Sequence, residues 1–374
     1  RVAGRPGRNA GPAQGGGAPV SLDDRLLEVL RQIAPGTALR PGLERILRAN
    51  SGALIVLGSP PQVEALFTGG FQIDVPFTAQ RLSELAKMDG ALVLDETGGR
   101  ILWANVHLMP DPAIATVETG TRHRTAERVA RQAGVPVISV SHSMRTITLY
   151  VEDWRHVLED VGAVLSRANQ AVAALDHYRA RFDEASAALD ARELHGQATL
   201  LDVLTLLGRA EMVRQVAREL EQYVAELGSD GRLLRLQLEE LSAGVDEEER
   251  LAVRDHLRAR PGWEVPGVLA ELSRLTPEEL LDLAAVAKAI DLTGDPETLD
   301  AAQVPRGYRL LARVPQLPPS VVDRVVERFG SLKVIMAVGP EDLEEVEGVG
   351  AGRARLLREG LRRLADGARP EADE

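Results

Sequence analysis

Apolar residues along this chain change their period once, near residue 153. Before that point they come in short runs. Ala53–Leu57 is unbroken and ends at Gly58, which predicts a buried strand. Val135–Val140 and Thr146–Val151 are rich in β-branched residues and predict two more. Ala91–Asp95 and Arg100–Val106 flank Glu96-Thr97-Gly98-Gly99, a hairpin pattern. Between these runs the spacing turns helical. Leu82, Leu85 and Met88 share one face of Thr78–Met88, and Thr121–Gln132 is amphipathic and stops at Gly134. Ser21 stands as N-cap of an earlier helix. Alternating strands and helices predict an α/β domain with a mixed sheet over residues 20–152.

From about Asp153 strand patterns are absent. Leu, Ala and Val recur at spacings of three and four, as in Val157, Val161, Val164, Leu165 and Ala168. This predicts an all-α helical linker over residues 153–304, with Pro261-Gly262 and Pro266-Gly267 punctuating its end. Such a stripe is core packing rather than a cofactor box. Residues 305–365 read as short helices around two tight turns, Val314–Pro319 and Val346–Gly350. Their spacing makes them an internal pair. Residues 1–19 are a Gly/Pro/Ala tract expected to be disordered, and residues 366–374 form an acidic tail.

Composition narrows the chemistry. The chain has 374 residues, enough for two or three domains. It has no Cys, which removes disulfides, thiolate metal sites and Cys nucleophiles. No apolar run approaches the ~20 residues of a membrane span, and the first residues do not form an apolar signal core. A cytoplasmic protein without a membrane partner is expected. Of 44 basic side chains only Lys87, Lys288 and Lys333 are lysines, and none precedes Ser or Thr, so there is no Walker A loop. The net charge of −12 argues against a generic nucleic-acid coat. Residues 305–365, however, are locally basic, and a basic module in an acidic chain is the better nucleic-acid signal.

Three constellations carry candidate chemistry. Gly348-Val349-Gly350 precedes Arg353 and Arg355. No strand comes before it, so a dinucleotide fingerprint does not fit. A helix-hairpin-helix turn does: glycines let backbone amides approach a DNA phosphate, and the arginines add charge. One such turn would equally suit two packing helices; the pair, with its basic surroundings, favours DNA. The second is Asp89-Gly90-Ala91 at a helix-to-strand junction. Alone it is a turn, though an Asp there can also hold Mg²⁺ or Mn²⁺. The third is Thr119-Gly120-Thr121-Arg122-His123-Arg124-Thr125. Free amides, hydroxyls and guanidinium groups in a first helical turn attract a polyphosphate. Arg is locally unfavourable there, which points to a functional reason, with an exposed basic turn as the alternative. His107, His142 and His156 lack zinc-ligand spacing, and Asp95-Glu96 has no Lys nearby.

Asp89-Gly90-Ala91 followed by Gly120-Thr121-Arg122-His123-Arg124-Thr125 resembles the paired motifs of the diadenylate cyclase family. The run Ala34–Leu43 and Asn105-Val106-His107-Leu108 fit its members that carry a helical linker and a C-terminal tandem helix-hairpin-helix domain. The resemblance spans roughly Leu22 to Ala365. It implies an α/β cyclase domain that makes cyclic di-AMP and two pyrophosphates from two ATP. It implies that Asp89 binds the metal and helps activate the 3′-hydroxyl, and that Gly90 and Leu108 line the adenosine pocket. Thr121, Arg122, His123, Arg124 and Thr125 would hold the triphosphate, with Ser141 a further neighbour. It also implies Mg²⁺ or Mn²⁺, a homo-octamer, association with the nucleoid, and binding of branched DNA such as Holliday junctions. The rival expectation is a non-catalytic junction-binding scaffold with a regulatory nucleotide pocket.

Overall fold

The computed structural model describes residues 22–257 and 264–367. Ser21 and the tract before it, Pro261-Gly262 and the tail beyond Gly367 lie outside the described residues. The chain forms two compact units. One runs to Val161 and also takes in Ala225–Asp230; the other comprises Gly162–Val224 and the chain from Gly231.

The first unit holds a sheet of eight strands: β1 (Ala53–Leu57), β2 (Phe67–Thr68), β3 (Phe71–Pro76), β4 (Ala91–Leu94), β5 (Arg100–Leu108), β6 (Val137–Ser141), β7 (Thr146–Val151) and β8 (Trp154–Leu158). Their order is β2-β5-β4-β1-β6-β7-β8, with β3 also paired to β5. β1 and β4 run parallel and the other pairs antiparallel, so the sheet is mixed as expected. Helices α1 (Leu22–Ile33), α2 (Leu39–Arg48), α3 (Pro61–Glu64), α4 (Ala79–Leu85) and α5 (Thr121–Ala133) surround it. Ile55, Leu92, Ile138 and Leu149 pack with Leu30, Leu43 and Leu82 on one face. Val56, Val93, Val137 and Tyr150 pack with Ala126 and Val129 of α5 on the other. A strand covered on both faces needs an unbroken apolar run, which is what β1 has. Gly134 closes α5 in the left-handed conformation, at φ 66°.

The strand pattern continues past Asp153, against expectation. Val151 pairs with Trp154, so Glu152 and Asp153 make a two-residue turn with Glu152 at φ 50°. Val157 belongs to β8, and the helical stripe begins only at Val161. The reason is position: β8 is an edge strand and carries Trp154, Arg155 and His156 partly in solvent, so its apolar content is low. The Ala225–Asp230 segment then completes this unit. Glu226 accepts from the Glu159 amide at 3.0 Å and pairs with His156 Nε2 at 2.8 Å. A Cβ on Gly228 would fall 2.3 Å from the Pro35 carbonyl oxygen, so only glycine fits there.

The second unit is helical. Its elements are α6 (Val161–His195), α7 (Leu200–Leu227), α8 (Arg232–Ser242), α9 (Val245–His256), α10 (Val265–Leu272), α11 (Leu283–Ala289), α12 (Pro296–Leu299), α13 (Tyr308–Ala312), α14 (Pro319–Phe329), α15 (Leu332–Ala337), α16 (Pro340–Glu344) and α17 (Ala351–Gly367). Arg309 of α13 is 1% exposed. It pairs with Asp190, with Glu193 at 3.3 Å and with Glu248 at 2.5 Å. Asp255 accepts the amides of Gly307, Tyr308 and Arg309, each at 2.7 Å, and so caps α13. His256 Nε2 meets Glu193 Oε1 at 2.6 Å. One buried ionic network therefore joins α6, α9 and α13.

Candidate functional site

The ends of four strands and the start of α5 enclose a cavity of about 710 Å³ in the first unit. β1 and β4 begin there, whereas β5 and β6 run antiparallel to them and end there. Leu54, Asp89 and Ala91 therefore meet Val106–Leu108, Val140 and Ser141. Thr121, Arg122, His123 and Thr125 of α5 close it, with Glu118, Thr119, Ser143 and Arg155. Of the residues singled out in the sequence, Asp89, Leu108, Thr121, Arg122, His123, Thr125 and Ser141 thus share one space. Gly90 and Arg124 are not in its wall.

Gly90 has a steric task. A Cβ there would lie 2.3 Å from the Asn105 carbonyl carbon. Asn105 bulges from β5 at φ 55°, and its side-chain oxygen accepts the Gly90 amide at 3.1 Å. This bulge sets how Asp89 enters the cavity. Gly90→Ala is expected to destabilise the chain by about 1–3 kcal/mol through overpacking. Thermal unfolding should show the loss, and an unchanged midpoint would mean the bulge yields freely.

Gly120 is the N-cap of α5 with no side-chain cap bond, and α5 has no acidic residue in its first turn. Its first amides therefore have no partner within the helix and favour an anion. The Arg122 guanidinium lies against Gly52: a Cβ there would come within 2.2 Å of Nη1. Gly52 carries no sequence signal beyond its place before β1. Arg124 is exposed on the same turn, its amide bonded to the Gly120 carbonyl at 2.9 Å.

Behind this turn lies a chain of polar groups that runs from the buried His123 and Tyr150 out to the exposed Arg155. His123, 5% exposed, meets the Tyr150 hydroxyl through Nδ1 at 2.7 Å. Tyr150 donates to Glu118 Oε1 at 2.8 Å, and Arg155 Nε donates to the same oxygen at 2.5 Å. His123 Nε2 is buried without a partner. Burial, then the nearby Arg155 and Arg122 charges, hold the His123 pKa below its ordinary value despite the opposing Glu118 carboxylate. Burial raises Glu118, but the bonds from Tyr150 and Arg155 outweigh it and leave the carboxyl below its usual range. None of Glu118, Tyr150 or Arg155 stood out in the sequence, because they come from a loop and two strands.

No group of three or more His, Asp or Glu among the described residues could cage a metal. The cavity does offer the exposed Asp89 carboxylate beside a phosphate-attracting helix start. That fits Mg²⁺ or Mn²⁺ arriving with a nucleotide, since Mg²⁺ commonly takes one or two carboxylates plus substrate phosphates.

The two C-terminal turns share a backbone feature. Gln316, third in the first turn, has φ 64°, and Gly348, third in the second, has φ 85°. Val314 and Val346 head the turns and are both buried. Val349 anchors the second turn in the core, and its amide already donates to the Val346 carbonyl at 2.9 Å. Gly350 is exposed, and the amides that open α17 follow it. Arg353 donates to the Gly348 carbonyl at 2.6 Å, while Arg355 is exposed. Arg309 and Arg313 are absorbed by buried carboxylates, so the basic surplus read from this segment overstates what a ligand meets.

Residues 40–154 match the family described as DisA bacterial checkpoint controller nucleotide-binding, and residues 158–299 match the DisA bacterial checkpoint controller linker region. The chain is 54% identical over 362 residues to the DNA integrity scanning protein DisA of Streptomyces coelicolor, covering 96% of each. It is 56% identical over 347 residues to that of Acidothermus cellulolyticus, covering 92% of this chain and 94% of the relative.

Proposed function

The chain belongs to the DisA family of bacterial checkpoint controllers, and from that premise we propose that it is a diadenylate cyclase coupled to the scanning of DNA. It condenses two ATP into cyclic di-AMP. Each 3′-hydroxyl forms a bond to the α-phosphorus of the other nucleotide as the bond to pyrophosphate breaks. The observation that carries this reading is the meeting of Asp89 and the Thr121–His123 turn in one cavity.

In-line phosphoryl transfer depends on positioning and on neutralised charge more than on covalent chemistry. Arg122, Arg124, the hydroxyls of Thr121 and Thr125 and the α5 amides hold the triphosphate. His123 adds to that set, and Ser141 lines the same cavity. Leu108 and the Gly90 backbone shape the place of adenosine. Asp89 holds the divalent ion and orients the 3′-hydroxyl. The ion, Mg²⁺ or Mn²⁺, supplies charge neutralisation at the phosphates. Two identical half-reactions require two sites face to face, hence at least a dimer; the family resemblance favours a homo-octamer.

The α13–α17 block is read as a tandem helix-hairpin-helix module for branched DNA such as Holliday junctions. Gly348 and Gly350 bring backbone close to phosphate, and Arg353 and Arg355 flank it. The protein then works in the cytoplasm on the nucleoid. Among the described residues no helix is long and apolar enough to cross a membrane. A Cβ at Gly350 meets nothing within 4 Å, so Gly350→Val should keep the fold. It should weaken junction binding by roughly ten- to a hundredfold, about equally across base sequences, as one charge-assisted phosphate contact is lost. Titrating junction and linear duplex at two salt concentrations checks this; little salt dependence with strong base preference would defeat it.

The primary test is incubation of the full chain with ATP and Mg²⁺ or Mn²⁺, followed by mass detection of cyclic di-AMP. Nucleotide binding without product would instead favour a regulatory pocket on a DNA scaffold.

A further inference from the structure

The polar chain behind α5 has a defined direction of proton donation. Glu118 is a carboxylate held by Arg155, so it can only accept, and the Tyr150 hydroxyl must donate to it. The phenol oxygen is then left to accept from His123 Nδ1. This fixes the tautomer: Nδ1 carries the proton and Nε2 keeps its lone pair. Nε2 is buried and unpartnered, an arrangement that costs about 1–3 kcal/mol unless something uses it. His123 also lines the cavity, so the charge state of its ring bears on any phosphate held there.

We propose that Glu118 and Tyr150 are positioning residues that let His123 take up a proton when a triphosphate enters the cavity. The inference deepens the cyclase reading and rests on it for the identity of the ligand. In the free protein, burial and the Arg122 and Arg155 charges keep the ring neutral. An arriving triphosphate brings negative charge and reverses that balance. One proton from solvent then binds Nε2, and the positive charge of the ring offsets that of the phosphates beside it. Nδ1–H stays on Tyr150, whose phenol oxygen Glu118 keeps oriented as an acceptor. No bond in the nucleotide breaks in this step. The charged and titratable groups around the ring are Tyr150 on β7, Arg155 on β8, Glu118 in the preceding loop, Arg122 on its own helix, and Asp89 and His107 in the same cavity wall. A triphosphate must supply the negative charge, because Glu118 already shares its own with Arg155.

The test is calorimetric titration of the full chain with a non-hydrolysable ATP analogue and Mg²⁺, in two buffers of different ionisation enthalpy. The difference gives protons taken up per nucleotide bound. Near pH 7.5, wild type should take up close to one proton more than His123→Gln. Tyr150→Phe keeps the ring packing and should lose most of this uptake, as should Glu118→Gln. A purely structural role would lower affinity and leave proton uptake unchanged, which would overturn the proposal, as would equal uptake by wild type and His123→Gln. The cyclase reading is judged apart, by product formation from ATP. A chain that binds the analogue with proton uptake but makes no product sinks that reading and leaves the relay standing; a chain that does not bind it overturns both.

Discussion

Asp89→Asn should lower cyclic di-AMP synthesis by at least about a hundred- to a thousandfold, the scale of losing one well-placed electrostatic group. The carboxylate is exposed at the cavity wall, and Asn matches it in shape. The turn into β4 is set by Gly90 and the Asn105 bulge rather than by Asp89, so fold and assembly should persist. Because Asn can still offer one oxygen, the rates must be compared at saturating Mg²⁺ or Mn²⁺. Near wild-type turnover there, with an unchanged circular dichroism spectrum, would remove Asp89 from the mechanism.

Arg309→Ala should cost about 3–5 kcal/mol in the helical unit, the typical loss when one partner of a buried ion set is removed. Asp190, Glu193 and Glu248 would remain inside without their shared cation. The sign of the pH dependence follows. Burial raises Asp190 to about 6 even with Arg309 and Arg313 opposing it. A carboxyl raised on folding contributes stability below its unfolded pKa and loses it as pH rises through the folded value. Without Arg309 that value climbs further, so the variant should be least impaired in acid and worst above about pH 7. Urea unfolding followed across this range checks both size and slope. A deficit independent of pH would mean the carboxylates relax to solvent.

Most of the sheet was legible because burial on two faces demands unbroken apolar runs. β1 is of that kind, while β6 and β7 were legible by their β-branched residues, which suit strands buried almost throughout. β3 and β8 were not, because each is exposed along part of its length and needs no such run. The cavity was legible where a short segment carries several groups at once, as Thr121–Thr125 does. It was illegible where the partners are single residues from a loop and two separate strands: Glu118, Tyr150 and Arg155 each look ordinary alone. Arg309 shows the same limit with the opposite sign. By composition it adds to a basic surface, whereas three carboxylates from α6 and α9 draw it inside. Charge counts along a chain cannot see that, because the partners lie more than fifty residues away.

The return of Ala225–Asp230 to the first unit sets an order of events during synthesis. β8 is complete at Leu158, yet the segment that answers His156 and Glu159 has not been made. At ~5–20 residues per second, the ribosome needs about 4–14 s more to deliver it. Through that interval the nascent sheet must wait with its Pro35 turn and the end of β8 uncovered. The α/β unit therefore finishes folding only as much of the helical unit is emerging. A chain cut short between the two would leave a cyclase fold assembled but unsealed.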